Sequence, residues 1–457
     1  MAMLSRLKTT SLQLPVSYRP QLSPARFLVL GYLGVIFLGG LLLSLPAATV
    51  QGKSMGILDA VFMATSAVCV TGLSVVDTAR DLSTMGQVVV LFLVQIGALG
   101  VMTMSTLFAL IMGRRITLRD RLFLQEDLNQ GYLAGLVRLV RYCIAFTSVI
   151  QGIGILSLWF WFTREMPWQK ALYFAVFHSV SAFGNAGFDI TGNSLESYLL
   201  SHPVVLTIAL LIICGGLGFS VMAELYQERS WRRLSLQSMI IIRATVLLIA
   251  IGWAAIGILE WSNPATLGGL SAHDKIWASF FTAVTPRTAG FSVLSTAALS
   301  KATLFLVMGL MFIGAAPGST GGGVKVTTVV VILAGLRGVI KGEEDVNVGE
   351  RRLPRGDFAK AVTIVALSLL LIFAITGILL VTEDNSLMVT MFEVVSAFGT
   401  VGLSTGITPS LSPLGKLLLM TTMFAGRIGP MTLALAFSQN KTGTGRYRYP
   451  EEKISLG

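Results

Sequence analysis

Apolar runs of the length that crosses a membrane as helix, about 20 residues, recur near 27–45, 86–112, 140–162, 203–223, 244–260, 302–316, 361–381 and 414–437. Between the two members of each consecutive pair lies a further apolar element too short to cross, at 58–68, 171–183, 276–284 and 387–398. Elements of that length fit helices that enter a membrane and turn back. The pattern therefore predicts an all-α membrane protein of four M1-P-M2 repeats, with eight spanning helices and four re-entrant pore loops arranged pseudo-fourfold around one central pore. The expected divisions are an N-terminal segment 1–26, repeat 1 at 27–113, repeat 2 at 138–226, repeat 3 at 243–336, a loop at 337–360, repeat 4 at 361–438 and a tail at 439–457.

Each short element runs into the same kind of sequence. The four copies are Ser66-Ala67-Val68-Cys69-Val70-Thr71-Gly72-Leu73, Ser181-Ala182-Phe183-Gly184-Asn185-Ala186-Gly187-Phe188, Val284-Thr285-Pro286-Arg287-Thr288-Ala289-Gly290-Phe291 and Ser396-Ala397-Phe398-Gly399-Thr400-Val401-Gly402-Leu403. Recurrence at intervals of roughly one hundred residues marks an internal repeat. Irregular backbone at membrane depth survives only where protein covers it or water lines it, and four such segments cover one another by meeting at an axis. Glycine opens backbone angles closed to other residues, so successive carbonyls can point the same way and replace an ion's hydration shell. Val70, Thr71, Gly72, Asn185, Ala186, Gly187, Thr288, Ala289, Gly290, Thr400, Val401 and Gly402 are thus the expected ion-binding filter. None carries an ionised side chain, which favours a weakly hydrated monovalent cation. The alternative, four tight turns, leaves the shared residues on both sides of each glycine unexplained.

The last helix of repeat 3 is interrupted by Gly314, Ala315, Ala316, Pro317, Gly318, Ser319, Thr320, Gly321, Gly322 and Gly323. Glycine and proline oppose helix by about 1 and 3 kcal/mol per residue, so a loop is expected under the filter, acting as the gate. A static kink is the alternative. Arg427, a cation inside an apolar helix, needs a polar partner; it is expected to bond this loop from below, or else to be satisfied near a helix end. Lys325 is expected to anchor the loop's returning end. His178 and Glu393, each nine residues before a filter glycine, are expected to brace the filter from behind, and Arg287 to hold the third loop. Asp77 and Asp189 follow their filters and suit a cation-concentrating mouth or a solvated loop equally well.

Composition agrees with this pattern. With 54 % hydrophobic and 12 % charged residues, the chain exceeds what a soluble core hides. Arg114, Arg115, Arg119, Arg121, Arg229, Arg232, Arg233, Arg337, Lys341, Arg351, Arg352 and Arg355 fall in loops on one side, which the positive-inside rule makes cytoplasmic together with both termini. A net charge of +11 spread over such loops points to anionic lipid headgroups rather than nucleic acid. Cys69, Cys143 and Cys214 show no metal-ligand spacing, and neither a catalytic triad nor a nucleotide-binding motif is present, so an enzyme is not expected and no nucleotide binds this chain. The competing function is a cation-coupled secondary carrier; such proteins place coupling carboxylates within helices, whereas this chain, apart from Glu393, keeps its carboxylates near the interfaces and its repeats share one orientation.

The four filter segments, with Gly426-Arg427-Ile428-Gly429-Pro430 in the last helix, resemble the KtrB/TrkH superfamily of potassium transporters over nearly the whole chain. With the first span near residue 27, the likeness is to the KtrB branch, the membrane subunit of the Ktr system. The resemblance implies a homodimer in a bacterial inner membrane, one pore per protomer, seated on a cytoplasmic ring of KtrA-type subunits that bind ATP or ADP. It also implies potassium uptake with sodium as a second, activating ion. The loop 337–360, with Glu343, Glu344, Asp345, Arg351 and Arg352, suits a docking surface or a solvated loop at lipid headgroups equally well.

Overall fold

The structure, a computed structural model, describes residues 24–100, 103–104, 122, 125, 136–343, 345–349 and 351–437. The N-terminal segment to residue 23, the loop with Arg114, Arg115, Arg119 and Arg121, the far end of the 86–112 run, Glu344 and the tail 439–457 lie outside the described residues.

In chain order, α1 (Pro24–Leu43), α2 (Ile57–Val68) and α3 (Thr84–Leu99) form a first unit. A second comprises α4 (Leu136–Phe162), α5 (Trp168–Gly184), α6 (His202–Leu217) and α7 (Phe219–Glu228). The third has α8 (Leu236–Glu260), α9 (Ala272–Val284), α10 (Lys301–Phe312) and α11 (Val326–Ile340). The fourth has α12 (Arg355–Thr382), α13 (Leu387–Gly399), α14 (Pro413–Ile428) and α15 (Pro430–Phe437). A small antiparallel hairpin, β1 (Asn347–Val348) and β2 (Arg351–Arg352), lies between α11 and α12, with Arg352 paired to Asp345 at 2.9 Å.

Four helices among the described residues are long and apolar enough to cross a membrane, at Ala25–Leu43, Arg138–Phe162, Leu236–Glu260 and Gly356–Thr382. Their outward faces carry Phe37, Ile153, Ile258 and Phe373, all well exposed. Apolar surface on this scale needs lipid as its solvent, and the chain is a membrane protein. The short helices have the opposite environment: Phe62 and Met63 of α2, Phe177 and Phe183 of α5, Phe281 of α9 and Phe392 and Phe398 of α13 are fully buried. Long helices form the jacket and short ones the interior.

The third helix of each unit joins neighbours. Ser83, Ser300 and Ser412 start α3, α10 and α14 by accepting a hydrogen bond from the amide three residues on, which satisfies donors a helix start leaves open. α3 then packs on α5, α6 on α9, α10 on α13 and α14 on α2, so the last contact closes a circle. Lys416 of α14 seals that closure through Asp59 of α2 at 2.7 Å, and Arg26 Nε donates to Ala436 O at 2.8 Å to tie α1 to α15.

Eight crossings are predicted by hydropathy, with one interrupted at 314–323, but the third helix of every unit is broken. α3 stops at Leu99 before Gly100 (φ +87), α6 and α7 meet at Gly218 (φ +91) with a 93° bend, and α14 and α15 meet at Gly429 (φ +93). Helix cannot continue through such an angle, and only glycine reaches it at little cost. In the third unit the break widens to residues 313–325. A single glycine scarcely dents the apolar runs 203–223 and 414–437, which is why they read as unbroken.

Candidate functional site

Each short helix ends in the same backbone corner. Val70, Asn185, Thr288 and Thr400 occupy the left-handed region at φ +56, +57, +69 and +50. That conformation costs a non-glycine residue about 1–2 kcal/mol, and three of the four are β-branched, the least tolerant kind. Left-handed residues at one equivalent position in all four segments mark a geometry that the fold imposes. After the turn, the amides of Thr71, Ala186 and Val401 fold back onto Ser66 O, Ser181 O and Ser396 O at 2.8, 2.8 and 2.9 Å. The carbonyls of Thr71, Ala186, Ala289 and Val401 accept no backbone hydrogen bond among the described residues.

The third corner corrects the sequence register. Counting back from the glycines sets Val284 opposite the serines, yet Ala289 N bonds Thr285 O at 3.0 Å, four residues back rather than five. Thr285 therefore takes the serine's seat, in a corner one residue shorter. The hydroxyls complete each corner: Ser66 and Ser396 accept from the amides of Gly72 and Gly402 at 3.0 and 3.1 Å, while Ser181 and Thr285 donate to Phe188 O and Phe291 O at 2.7 and 2.5 Å.

The four corners meet in a ring. A methyl group on Gly72 would collide with Ala186 O, on Gly187 with Ala289 O, on Gly290 with Val401 O, and on Gly402 with Thr71 O. All four glycines also have positive φ, between +67 and +93. On one side the ring opens into a cavity of about 170 Å³ lined by the four glycines, Asp189, Ser74, Thr78, Ser194, Ser292, Thr296 and Ser404.

Residues 314–323 cross the other side. Ala316 N and Thr320 N bond Gly216 O and Gly215 O at 3.0 and 3.2 Å, and Gly323 N bonds Gly426 O at 3.2 Å. Gly322 N donates to the Thr400 hydroxyl at 3.0 Å, and a side chain on Gly321 would strike the Thr288 hydroxyl. The Asn185 carboxamide lies beside them, within 3.1 Å of the Thr288 hydroxyl. Lys325 Nζ holds Gly321 O at 2.6 Å, and Arg427 donates to Thr320 O and to Gly97 O. Beyond the loop a second cavity, of about 90 Å³, is lined by Gly318, Ser319, Gly321, Lys325 and Arg427 among others.

The other singled-out residues separate. Asp189 lines the ring's mouth, its carboxylate holding the amides of Thr191, Gly192 and Ser194, whereas Asp77 caps its own turn and pairs with exposed Arg80 at 3.4 Å. Glu393 is buried and accepts from the hydroxyls of Ser404 and Thr408, just past the fourth glycine. His178 bonds Phe174 O at 2.8 Å amid the rings of Phe162, Phe177 and Phe291. Arg287 is buried, and its terminal nitrogens meet no acceptor among the described residues. Sequence reasoning missed Gly97 and Gly215 and gave Gly426 no packing role, yet a methyl group on these would collide with the carbonyls of Val68, Phe183 and Phe398 at the C-terminal ends of α2, α5 and α13. Their signal was present: Gly97-Ala98-Leu99-Gly100, Gly215-Gly216-Leu217-Gly218 and Gly426-Arg427-Ile428-Gly429 repeat one pattern.

Bare backbone carbonyls ringed inside an apolar jacket are the architecture of a membrane transport protein. The sequence profile of the TrkH family, described as cation transport protein, matches residues 31–443, and the chain belongs to that family. It is 39 % identical over 435 residues to the Ktr system potassium uptake protein B of Bacillus subtilis, covering 95 % of this chain and 97 % of that one. It is 37 % identical to the potassium/sodium uptake protein NtpJ of Enterococcus hirae, covering 96 % and 98 %. The crystal structure of the potassium transporter TrkH from Vibrio parahaemolyticus superposes with a TM-score of 0.72 over 92 % of this chain and 85 % of that one, at 18 % identity, a likeness of fold.

Proposed function

We propose that this chain conducts potassium into a bacterial cell through a pore formed by four M1-P-M2 repeats, with the glycine ring as selectivity filter and residues 314–323 as gate. The closed ring of four left-handed corners carries the reading. Carbonyls free of backbone partners can replace the water around an ion only if that water is cheap to remove, which favours potassium. The short helices point their carbonyl ends at the ring and add cation preference. Transit from the mouth cavity to the second cavity requires residues 314–323 to move, and Arg427 and Lys325 hold them in place. The names of the relatives, a Ktr system protein and a potassium/sodium uptake protein, support potassium as cargo and sodium as a second ion. The name Ktr system supports further components beside this chain; our reading is a homodimer on a KtrA-type regulatory ring that binds ATP or ADP, in the inner membrane with both termini cytoplasmic, as the positive-inside rule predicts.

The test is growth of a potassium-uptake-deficient bacterium on limiting potassium. The expected result is rescue by the chain with a KtrA-type partner, stronger with sodium, and none by Gly290→Ser, whose side chain meets Val401 O. No rescue by an expressed, membrane-inserted wild type, or equal rescue by Gly290→Ser, overturns the proposal. A fixed flux stoichiometry with protons or sodium would replace the pore by the carrier.

A further inference from the structure

Two of the protein's three histidines meet where the second and third units pack together. His202 begins α6 of the second unit, and His273 and Asp274 lie in the first turn of α9 of the third. His202 Nε2 is 2.9 Å from Asp274 Oδ1, and His273 Nδ1 is 3.9 Å from that same oxygen. The three potential ligand atoms all lie within 4.8 Å of one another. We propose that His202, His273 and Asp274 bind a divalent transition metal of the zinc class, which clamps the start of α9 to the start of α6.

A hydrogen bond accounts for His202 and Asp274, but at 3.9 Å His273 is beyond that reach. Around a tetrahedral ion with bonds of about 2.0–2.1 Å, ligand atoms stand roughly 3.3 Å apart. The two separations to Asp274 bracket that value and the two imidazole nitrogens lie no more than 4.8 Å apart, so rotation of the exposed His273 ring is what must close the set. Two imidazoles and a carboxylate, with a fourth position open to water, suit zinc and its neighbours, whereas magnesium and calcium prefer oxygen alone.

Independent contacts hold the three groups from behind. Ser271 donates to Asp274 Oδ2 at 2.6 Å, leaving Oδ1 turned toward the imidazoles. Trp277 stacks on His202 with centroids 5.6 Å apart and donates its indole N–H to His273 Nε2 at 3.2 Å. The serine bond can orient the carboxylate in the occupied site as well, whereas the indole bond poses His273 only while no metal is bound. The side chain of His273 is 68 % exposed, so the site is open to solvent. No spacing rule reveals the set, since His202 and Asp274 are 72 residues apart; the metal-ligand cluster not expected from the sequence is made by packing between units.

The proton balance supplies a signature. With Trp277 donating to Nε2, the proton of neutral His273 sits on Nδ1. Coordination through Nδ1 shifts it to Nε2 and ends the indole hydrogen bond, and His202 moves its Nε2 proton to Nδ1 or to solvent. Indole emission should therefore follow occupancy. The experiment titrates the purified full chain in detergent with ZnCl2, and with MgCl2 as control, by calorimetry and by emission; CoCl2 reports tetrahedral geometry through its visible bands. Expected are one EDTA-removable zinc per chain, no response to magnesium, and no emission change in Trp277→Phe. Affinity should fall at least about tenfold in His273→Gln, a conservative change at an exposed position, and saturable binding should vanish in His202→Ala/His273→Ala. Wild-type protein that takes up no stoichiometric zinc, or binding undiminished in either histidine variant, overturns the assignment.

Discussion

Three units break their third helix at one glycine, while the third unit breaks it over residues 313–325, and the two solutions do different work. At Gly100, Gly218 and Gly429 the break is a bend, preceded by Gly97, Gly215 or Gly426 pressed against the end of a short helix. In the third unit the chain instead passes under the ring, and Gly321 and Gly322 lie against the hydroxyls of Thr288 and Thr400. The ring has four left-handed corners, three alike and the third one residue shorter, but among the described residues it is one unit whose chain crosses beneath it. Symmetry builds the carbonyl ring, and the departure from symmetry builds what lies across it. On the proposed function, selection belongs to what the units share and control to what one of them does not.

The sharpest way to break this comparison is to remove the third unit's peculiarity. Gly314 N already bonds Val324 O at 2.8 Å, so the two ends of the loop lie side by side. Deleting Ala316–Gly322 can therefore rejoin the chain without moving α10 or α11. Potassium flux into proteoliposomes is expected to rise about tenfold, equivalent to roughly 1.4 kcal/mol off the barrier; unchanged flux with normal insertion would remove the loop from the path. A smaller effect belongs to the single-glycine breaks. Gly218→Ala forces φ +91 on alanine and brings its methyl to 2.9 Å from Pro317 O. It should cost about 1–2 kcal/mol, seen as a lower thermal midpoint, with no gain in flux. A rise in flux matching that of the deletion would mean that bends and loop are one device.

How much of this was legible in the sequence follows from which forces act locally. The lipid-facing helices announced themselves, because Phe37, Ile153 and Phe373 stay exposed and hydropathy needs no partner to act. The ring residues were also legible, since a glycine needed for φ and for close approach must recur at each corner. The bends at Gly218 and Gly429 were not, because one glycine among apolar residues leaves the run intact. Nor was the seat of Thr285, which depends on a corner closing over four residues instead of five, a matter of hydrogen-bond geometry. The meeting of His202 with His273 and Asp274 is a tertiary contact between units, visible only once α6 packs on α9.

The smallest predicted effect tests whether the third corner differs from the others at the ring itself. Thr285 and Ser181 make the same bond, to Phe291 O and Phe188 O, and losing one buried hydrogen bond costs about 1 kcal/mol. Thr285→Val keeps the shape and removes the hydroxyl; Ser181→Ala does nearly the same in a corner one residue longer. If the shared hydroxyl matters more than loop length, both lower stability by about 1 kcal/mol, and Thr285→Ser is neutral. If the shorter corner is held by its backbone alone, through Ala289 N to Thr285 O, then Thr285→Val costs nothing measurable while Ser181→Ala still does. Denaturation midpoints of the three variants decide between these. The second outcome would extend the third unit's individuality from the loop beneath the ring into the ring itself.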